Sequence, residues 1–161
     1  MIPNLGIPEG HRSSVVQLLN TLLADEYLLH TKTRNYHWNV VGPQFHDLHL
    51  FFEKQYEQLD HIIDDIAERV RTLGGVAFGT LAEFLTHTRL TEHPGQQFGA
   101  KEMVQHLLTD HETLIRQLRQ DAAACDRQFF DAGTSDFLIG VMAQHEKMGW
   151  MLRAFLQSVG Q

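Results

Sequence analysis

Two histidines and two carboxylates stand out because their types and spacing suit metal chemistry. His37 and His49 flank a short break in a helical pattern, and Asp64 and Glu68 follow farther along the chain. The two carboxylates are four residues apart, so they lie on one face of a helix. Imidazole nitrogen with carboxylate oxygen is a suitable ligand set for ferrous iron, and it leaves coordination positions open for water or an oxidant. These four residues are the candidate metal ligands.

The distance along the second helix decides how these ligands can meet. His49 and Asp64 are fifteen residues apart (64 − 49), which is about 22 Å at 1.5 Å per residue, and Glu68 lies about 28 Å away. Metal–ligand bonds are on the order of 2 Å, so one chain cannot close the site. Two chains can, if their second helices pack antiparallel across a two-fold axis. We expect that axis to cross the helix near Glu57 or Gln58.

Four long segments of helical periodicity position these residues, and no strand pattern competes with them. We expect Ser13 or Ser14 near the cap of the first helix. Gly42-Pro43 breaks the chain and opens the second helix, and Gly74-Gly75 stops it. The first three predicted helices cover about residues 9–39, 42–73 and 100 to 125 or 126. A turn around residues 131–133 leads to the fourth, which is expected to end near residue 159.

The remaining long connection covers residues 76 to about 98, and within it residues 80–85 (TLAEFL) predict a short helix. Two short connections and one long crossover describe an all-α, ferritin-like four-helix bundle with a short extra helix between helices two and three. We expect a single domain over residues 1–161, with residues 1–9 extended. In such bundles, the sequence motif Glu-x-x-His often indicates a di-iron centre. No Glu or Asp here is followed three residues later by His, so an ordinary centre inside the bundle is not expected.

The composition limits which cellular compartment and which binding partners are expected. The net charge is −7 and only four lysines are present, whereas DNA-binding surfaces are usually basic. No apolar run approaches the roughly 18 residues of a membrane span, the first residues do not resemble a secretory signal, and the single Cys125 suits a reducing compartment. We therefore expect a bacterial cytoplasmic protein without a membrane role. Eleven histidines are many, and most of them, including His106, His111 and His145, are expected to be solvated or hydrogen-bonded between helices.

The same residues resemble the signature of the Dps family, the DNA-binding proteins from starved cells. The resemblance is carried by His37-Trp38-Asn39, by His49 and by residues 64–69 (DDIAER), with spacings of twelve, fifteen and four residues between the ligand positions. Residues 145–153 (HEKMGWMLR) are similar to the last helix of the family. The likeness extends from about residue 15 to residue 156, which is nearly the whole chain.

The resemblance implies a hollow dodecamer built from two-fold dimers, with ferroxidase centres at the dimer interfaces. In that arrangement His37 and His49 belong to one subunit, and Asp64 and Glu68 belong to its partner. Glu68 would be the principal carboxylate, able to bridge two iron ions. The resemblance also implies oxidation of Fe(II) by hydrogen peroxide, or more slowly by dioxygen, with Fe(III) mineral stored in the shell as protection against oxidative stress.

Further residues take their expected roles from the same resemblance. Glu53 stands where the family often has an acidic residue near the site, as an accessory ligand or behind the ligands. Trp38 would lie beside the centre, where an oxidisable aromatic can intercept radicals; interface packing explains it equally well. Carboxylates near the start of the fourth helix are candidates for three-fold pores that draw iron inward, although a helix N-terminus also favours carboxylates. The pore candidates are Asp126, Asp131 and Asp136.

This chain departs from the DNA-condensing members of the family, which carry lysine-rich tails. No lysine precedes Lys32, and residues 157–161 carry no basic side chain. We therefore expect weak or absent DNA binding, with nucleoid association only as a secondary property. Two alternatives stay open. One is a DNA-coating nucleoid protein with secondary metal binding, and the other is a helical assembly that binds zinc at the same ligands.

Overall fold

The computed structural model describes residues 3–157, and helices dominate this part of the chain. The helices are α1 (Glu9–Asn39), α2 (Phe45–Thr72), α3 (Leu81–His87), α4 (Ala100–Arg127) and α5 (Ala132–Gln157). The main packing partners are α1 with α2 and α4 with α5, and the short α3 lies on α1. The described residues include no strand, and none of their helices is both long and apolar enough to cross a bilayer. This confirms the predicted all-α four-helix bundle with a short helix in its long crossover.

The start of α1 agrees with the predicted bound, but its cap does not. The helix begins at Glu9 directly after Pro8, so the predicted cap at Ser13 or Ser14 is wrong. The hydroxyl of Ser14 instead donates to the carbonyl oxygen of Gly10 one turn back inside the helix, at 3.1 Å. A serine inside a helix can satisfy its hydroxyl in this way, so it carries no signal for a helix start.

Glycines were predicted to mark both ends of α2, and the prediction is wrong at the start of the helix and confirmed at its end. Gly42 has a φ of +111°, and it forms with Pro43 a turn that precedes the helix, so α2 opens at Phe45 and not at the predicted proline. Gly74 has a φ of +78° and follows the last turn of α2, as predicted. Glycine is favoured there because it reaches the left-handed region without a steric cost. The last helix, α5, begins at Ala132 and so within the predicted turn at residues 131–133, because the Asp131 carboxylate accepts from the Thr134 amide at 2.9 Å. Its predicted end near Val159 lies outside the described residues.

One continuous apolar cluster fills the space between the four long helices. The side chains recur every three or four residues, which places them on one stripe of each helix. Each fully buried leucine or phenylalanine stabilises the bundle by about 1.5–3 kcal/mol relative to an exposed position. The largest fully buried side chains include Leu19, Leu23, Phe52, Leu59, Ile66, Leu107 and Leu114.

Buried polar side chains of α1 anchor the long crossover to the bundle. Asn20, Asp25 and Lys32 are all buried, and each one bonds to the backbone of the connecting segment. These bonds satisfy backbone groups that would otherwise face the core without partners. Asp25 also forms an ion pair with the Arg89 guanidinium at 2.7 Å. The backbone groups bonded in this way belong to Val76, Phe78, Arg89 and Thr91.

Three ionisable side chains lie next to one another across the middle of the bundle. Glu26 of α1, His111 of α4 and His145 of α5 are completely buried. The Nε2 atom of His145 lies 2.9 Å from Oε1 of Glu26, and its Nδ1 atom lies 2.9 Å from Nδ1 of His111. The contact between the two Nδ1 atoms is a hydrogen bond in which one ring donates and the other accepts. The pair of histidines is hydrogen-bonded between helices, as predicted.

Acidification should destabilise the fold through His111. Burial and the neighbouring His145 lower the pKa of His111 well below its ordinary value of 6.5. In the unfolded chain the same ring takes up a proton near that ordinary value, so the unfolded state binds more protons as the pH falls. Stability should therefore decrease below about pH 6.5, by at most about 1.4 kcal/mol per pH unit for this group.

Thermal unfolding followed by circular dichroism between pH 7.5 and 5.5 measures this effect. We expect the melting temperature to be steady above about pH 7 and to fall below about pH 6.5. A His111→Asn variant should show a flatter dependence over the same interval. A melting temperature that rises on acidification would contradict the assignment.

Candidate metal centre

The turn between α1 and α2 brings the two predicted histidine ligands together. His37 lies in the last turn of α1 and His49 in the first turns of α2. Their rings stack with 3.8 Å between centroids and 19° between planes. His37 is buried and His49 is half-buried. Two imidazoles that are twelve residues apart in sequence (49 − 37) therefore present themselves at one end of the bundle.

Each of these rings is held by the backbone of the other residue. The Nδ1 atom of His37 donates to the carbonyl oxygen of His49 at 2.7 Å, and the Nδ1 atom of His49 donates to the carbonyl oxygen of His37 at 2.9 Å. Because a carbonyl can only accept, the proton of each neutral ring is fixed on Nδ1. The Nε2 lone pair of each ring is then available to a metal, and a carbonyl behind the ring is the usual support of a histidine ligand.

Aromatic and charged side chains enclose this pair on the α1 and α2 surface. The ring of Tyr56 packs edge-on against His37, with 5.3 Å between centroids. The guanidinium of Arg34 lies 5.5 Å from the Tyr56 ring centroid and 5.2 Å from that of Trp38. Burial and the adjacent Glu53 carboxylate raise the pKa of Tyr56. Trp38 itself is 64% exposed, so in a single chain its indole is open to a partner surface.

Asp64 and Glu68 lie on the exposed surface of α2, far along the helix from His49. Neither carboxylate has a hydrogen-bond or ion-pair partner among residues 3–157. Within this part of the chain, no three His, Cys, Asp or Glu side chains form a group that could hold a metal ion. One chain therefore brings together the two histidines, and it does not bring the two carboxylates to them.

The two-fold axis is predicted to cross the middle of α2. One of the two residues there is exposed, and the other is hydrogen-bonded to α5. Glu57 is exposed. Gln58 is half-buried, and its amide nitrogen donates to the side-chain oxygen of Gln144 on α5 at 3.2 Å. Of the two positions, Glu57 is the one whose side chain is free to face a second copy.

The pore candidates fall into two kinds. Asp131 is buried directly before α5, where its carboxylate accepts from the Thr134 amide at 2.9 Å and lies 3.3 Å from the Arg69 guanidinium. These contacts are those of a helix cap, the alternative role raised for this residue. Asp126 and Asp136 are both exposed, and they remain the predicted pore residues.

Sequence reasoning missed Arg34 and Tyr56 as neighbours of the histidines. Tyr56 fits the apolar period of α2, so its pattern alone predicts a core position. The available signal was on α1, where Arg34 and Trp38 are four residues apart and so share one face. A cation between two aromatic rings is a recurrent arrangement, but only the packing of α1 on α2 supplies the second ring.

Comparison with known proteins agrees with this fold. The family model described as a ferritin-like domain matches residues 16–160. A relative from Nostoc sp., described as an uncharacterized low temperature-induced protein, is 50% identical over 96% of this chain and 86% of its own length. A crystal structure of a Dps protein from Bacillus brevis matches with a TM-score of 0.87 and 37% identity, over 92% of this chain and 99% of that one. The chain belongs to the Dps family.

A second Dps structure links the fold to metal chemistry. It is the Dps protein from Vibrio cholerae O1, described as a member of a broad superfamily of ferritin-like diiron-carboxylate proteins. It matches with a TM-score of 0.89 and 30% identity, over 97% of this chain and 98% of that one. The predicted Dps membership and ferritin-like bundle are thereby confirmed. At the level of the family, this supports a role in iron storage or DNA protection.

Proposed function

We propose that this Dps chain is a ferroxidase and an iron-storage protein. It oxidises Fe(II) with hydrogen peroxide, or more slowly with dioxygen, at di-iron sites shared between two subunits. The observation that carries the proposal is the reciprocal pair of hydrogen bonds between His37 and His49. Those bonds fix both rings in the tautomer that a metal requires, and they leave both Nε2 atoms available.

The second half of each site comes from the partner subunit in this proposal. Asp64 and Glu68 are exposed, unpaired and about 22–28 Å along α2 from His49, so only a second copy can bring such carboxylates to the histidines. An antiparallel pairing of two α2 helices around Glu57 makes two equivalent sites. We propose that such dimers build a hollow dodecamer, which stores the ferric product in the bacterial cytoplasm. The exposed Asp126 and Asp136 are its proposed iron entrances.

The proposed reaction takes iron as its substrate. Two Fe(II) ions lose one electron each, the O–O bond of one hydrogen peroxide breaks, two protons are taken up and two water molecules form. The balance is 2 Fe²⁺ + H₂O₂ + 2 H⁺ → 2 Fe³⁺ + 2 H₂O. Because both electrons reach the peroxide at one site, hydroxyl radical is not released. In this proposal Trp38 and Tyr56, whose rings both contact the Arg34 guanidinium, donate an electron if a radical does form.

Anaerobic loading with Fe(II) followed by hydrogen peroxide tests this function. We expect a rapid rise in near-ultraviolet absorbance, two Fe(II) oxidised for each peroxide consumed, and little hydroxyl radical captured by a spin trap. Zinc suits the same ligands and should compete with Fe(II) without being oxidised. Oxidation no faster than in buffer would leave the protein as a redox-silent metal binder, the zinc alternative, and would reject the ferroxidase.

The small number of exposed lysines and the negative net charge argue against the DNA-coating alternative. Lys32 is buried and ion-paired with Asp110 at 2.6 Å, which leaves three exposed lysines on a chain with a net charge of −7. Affinity for DNA grows with the number of phosphates neutralised, and it falls steeply with salt. We therefore expect no retention of plasmid in a mobility-shift assay at about 0.15 M salt.

A matched measurement with magnesium added separates direct binding from binding through bridging cations. Retention only when magnesium is present would mean that magnesium ions bridge the acidic protein surface and the DNA phosphates. Tight retention at about 0.15 M salt without magnesium would favour the nucleoid-coating function.

A further inference from the structure

A cavity of about 600 Å³ opens between the last turns of α1 and the loop that leads into α4. It shares neither of the paired histidines nor the α2 carboxylates of the proposed ferroxidase site. Its lining combines aromatic, imidazole and carboxylate groups, which include Tyr36, Glu92, His93 and Phe98. His106 of α4 stands directly behind this wall, with its ring in contact with three of those residues, Tyr36, His93 and Phe98.

The separation of the two histidine rings is that expected for ligands of one metal ion. The ring centroids of His93 and His106 are 5.1 Å apart, with 31° between the planes. Two imidazoles that bind one tetrahedral ion at about 2.0–2.1 Å have centroids about 5 Å apart. We propose that His93 and His106 form a second metal site, for a divalent zinc-type transition metal, with water in the coordination positions that face the cavity.

The side chains around His106 prepare it for this role. Its Nδ1 atom lies 3.0 Å from the hydroxyl oxygen of Tyr36, which fixes the ring and leaves Nε2 without a hydrogen-bond partner. A ligand histidine is commonly held through its second nitrogen in this way. The Phe98 ring stands edge-on at 4.5 Å between centroids and limits the movement of the imidazole. The side chain of His93 has no hydrogen bond to another described residue, so its ring nitrogens are available as well.

The charges nearby favour a cation. Burial lowers the pKa of His106, and His93 and Lys32 lower it further, whereas Asp110 and Glu102 act in the opposite direction. The ammonium of Lys32 is neutralised by Asp110 at 2.6 Å. Glu102 is a second carboxylate near His106, and Glu92 lines the cavity. Three carboxylates against one lysine leave a negative surplus at the site.

Calorimetric titration with zinc chloride, applied to the full-length protein, tests the second site. The proposed ferroxidase ligands are first removed by His37→Ala and Glu68→Ala, so that zinc bound there is not counted. In this background we expect about one zinc ion per chain to remain. His93→Ala or His106→Ala should abolish it, and His87→Ala, which removes an exposed histidine of the crossover helix, should preserve it. Circular dichroism and size-exclusion chromatography establish that each variant is folded.

Tyr36→Phe provides a graded test of the positioning bond. Loss of a hydrogen-bond partner behind a ligand histidine should weaken zinc binding by about 10–100-fold without removing the site. A crystal soaked in zinc chloride should show an anomalous peak within bonding distance of both rings. Equal zinc binding in the His93→Ala and His87→Ala variants, or no peak between the rings, would overturn the proposal whatever the outcome of the iron assays.

Discussion

Mixing two inactive variants of this Dps protein should restore about a quarter of its proposed ferroxidase sites. His37→Ala removes a ligand from the histidine half of a site, and Glu68→Ala removes one from the carboxylate half. Each variant alone should oxidise Fe(II) about 100-fold more slowly or worse, since loss even of a residue behind a ligand costs 10–100-fold. If the halves come from different subunits, a mixed dimer contains one site with both ligands intact and one with both missing.

Random pairing makes half of the dimers mixed, and half of their sites intact, which gives about one quarter of the wild-type rate. The variants are refolded together in equal amounts, mixed dimers are counted by native mass spectrometry, and peroxide-driven oxidation is followed after anaerobic loading. A matched mixture of His37→Ala with His49→Ala chains should stay inactive, because both changes affect the same half. If the two halves lay in one chain, the first mixture would show no recovery, and the shared site would be rejected.

Glu26→Ala should destabilise the folded chain by about 3–5 kcal/mol. Glu26 is the only carboxylate in the group of three side chains that it forms with His145 and His111. All three side chains are completely buried. Its removal leaves His145 without the carboxylate oxygen that lies 2.9 Å from its Nε2 atom, and it opens a cavity. Removing one partner of a buried ion pair is costly for this reason, even where the intact pair contributes little net stability. The melting temperature should fall by roughly 6–20 °C at a fixed subunit concentration.

Glu112→Ala is the matched control for that variant. Glu112 also forms an ion pair with a residue of α5, at 2.7 Å from the Arg153 guanidinium, but both side chains are at least 40% exposed. A solvent-exposed pair is worth about 0–1 kcal/mol, so this change should move the melting temperature by a few degrees at most. Equal shifts for the two variants would show that burial does not determine the cost.

The parts of the fold that follow local rules could be predicted from the sequence. The end of α2 at Gly74 was predictable because only glycine adopts a φ of +78° easily. The meeting of His37 with His49 followed from a short turn between two long helices. The need for a second subunit followed from the length of one helix, although the pairing itself stays a prediction.

Other features depend on tertiary packing and gave no clear local signal. Tyr56 has the spacing of a core residue, and only the approach of α1 turns it into a neighbour of His37. Asp131 was a plausible pore residue until its bonds to Thr134 and Arg69 were known. Glu26 follows another buried carboxylate, Asp25, in α1, and its histidine partner is more than a hundred residues away in the sequence.

The positions of the two tryptophans determine what intrinsic fluorescence can report. Trp38 is 64% exposed and Trp150 is 60% exposed, so neither indole enters the core of its own chain. Folding of a single subunit should therefore change their emission wavelength little. Covering of the outer surface by neighbouring copies should instead shift the emission to the blue. In the proposed assembly, tryptophan emission is thus an optical signal of quaternary contact, whereas far-ultraviolet dichroism reports the helices.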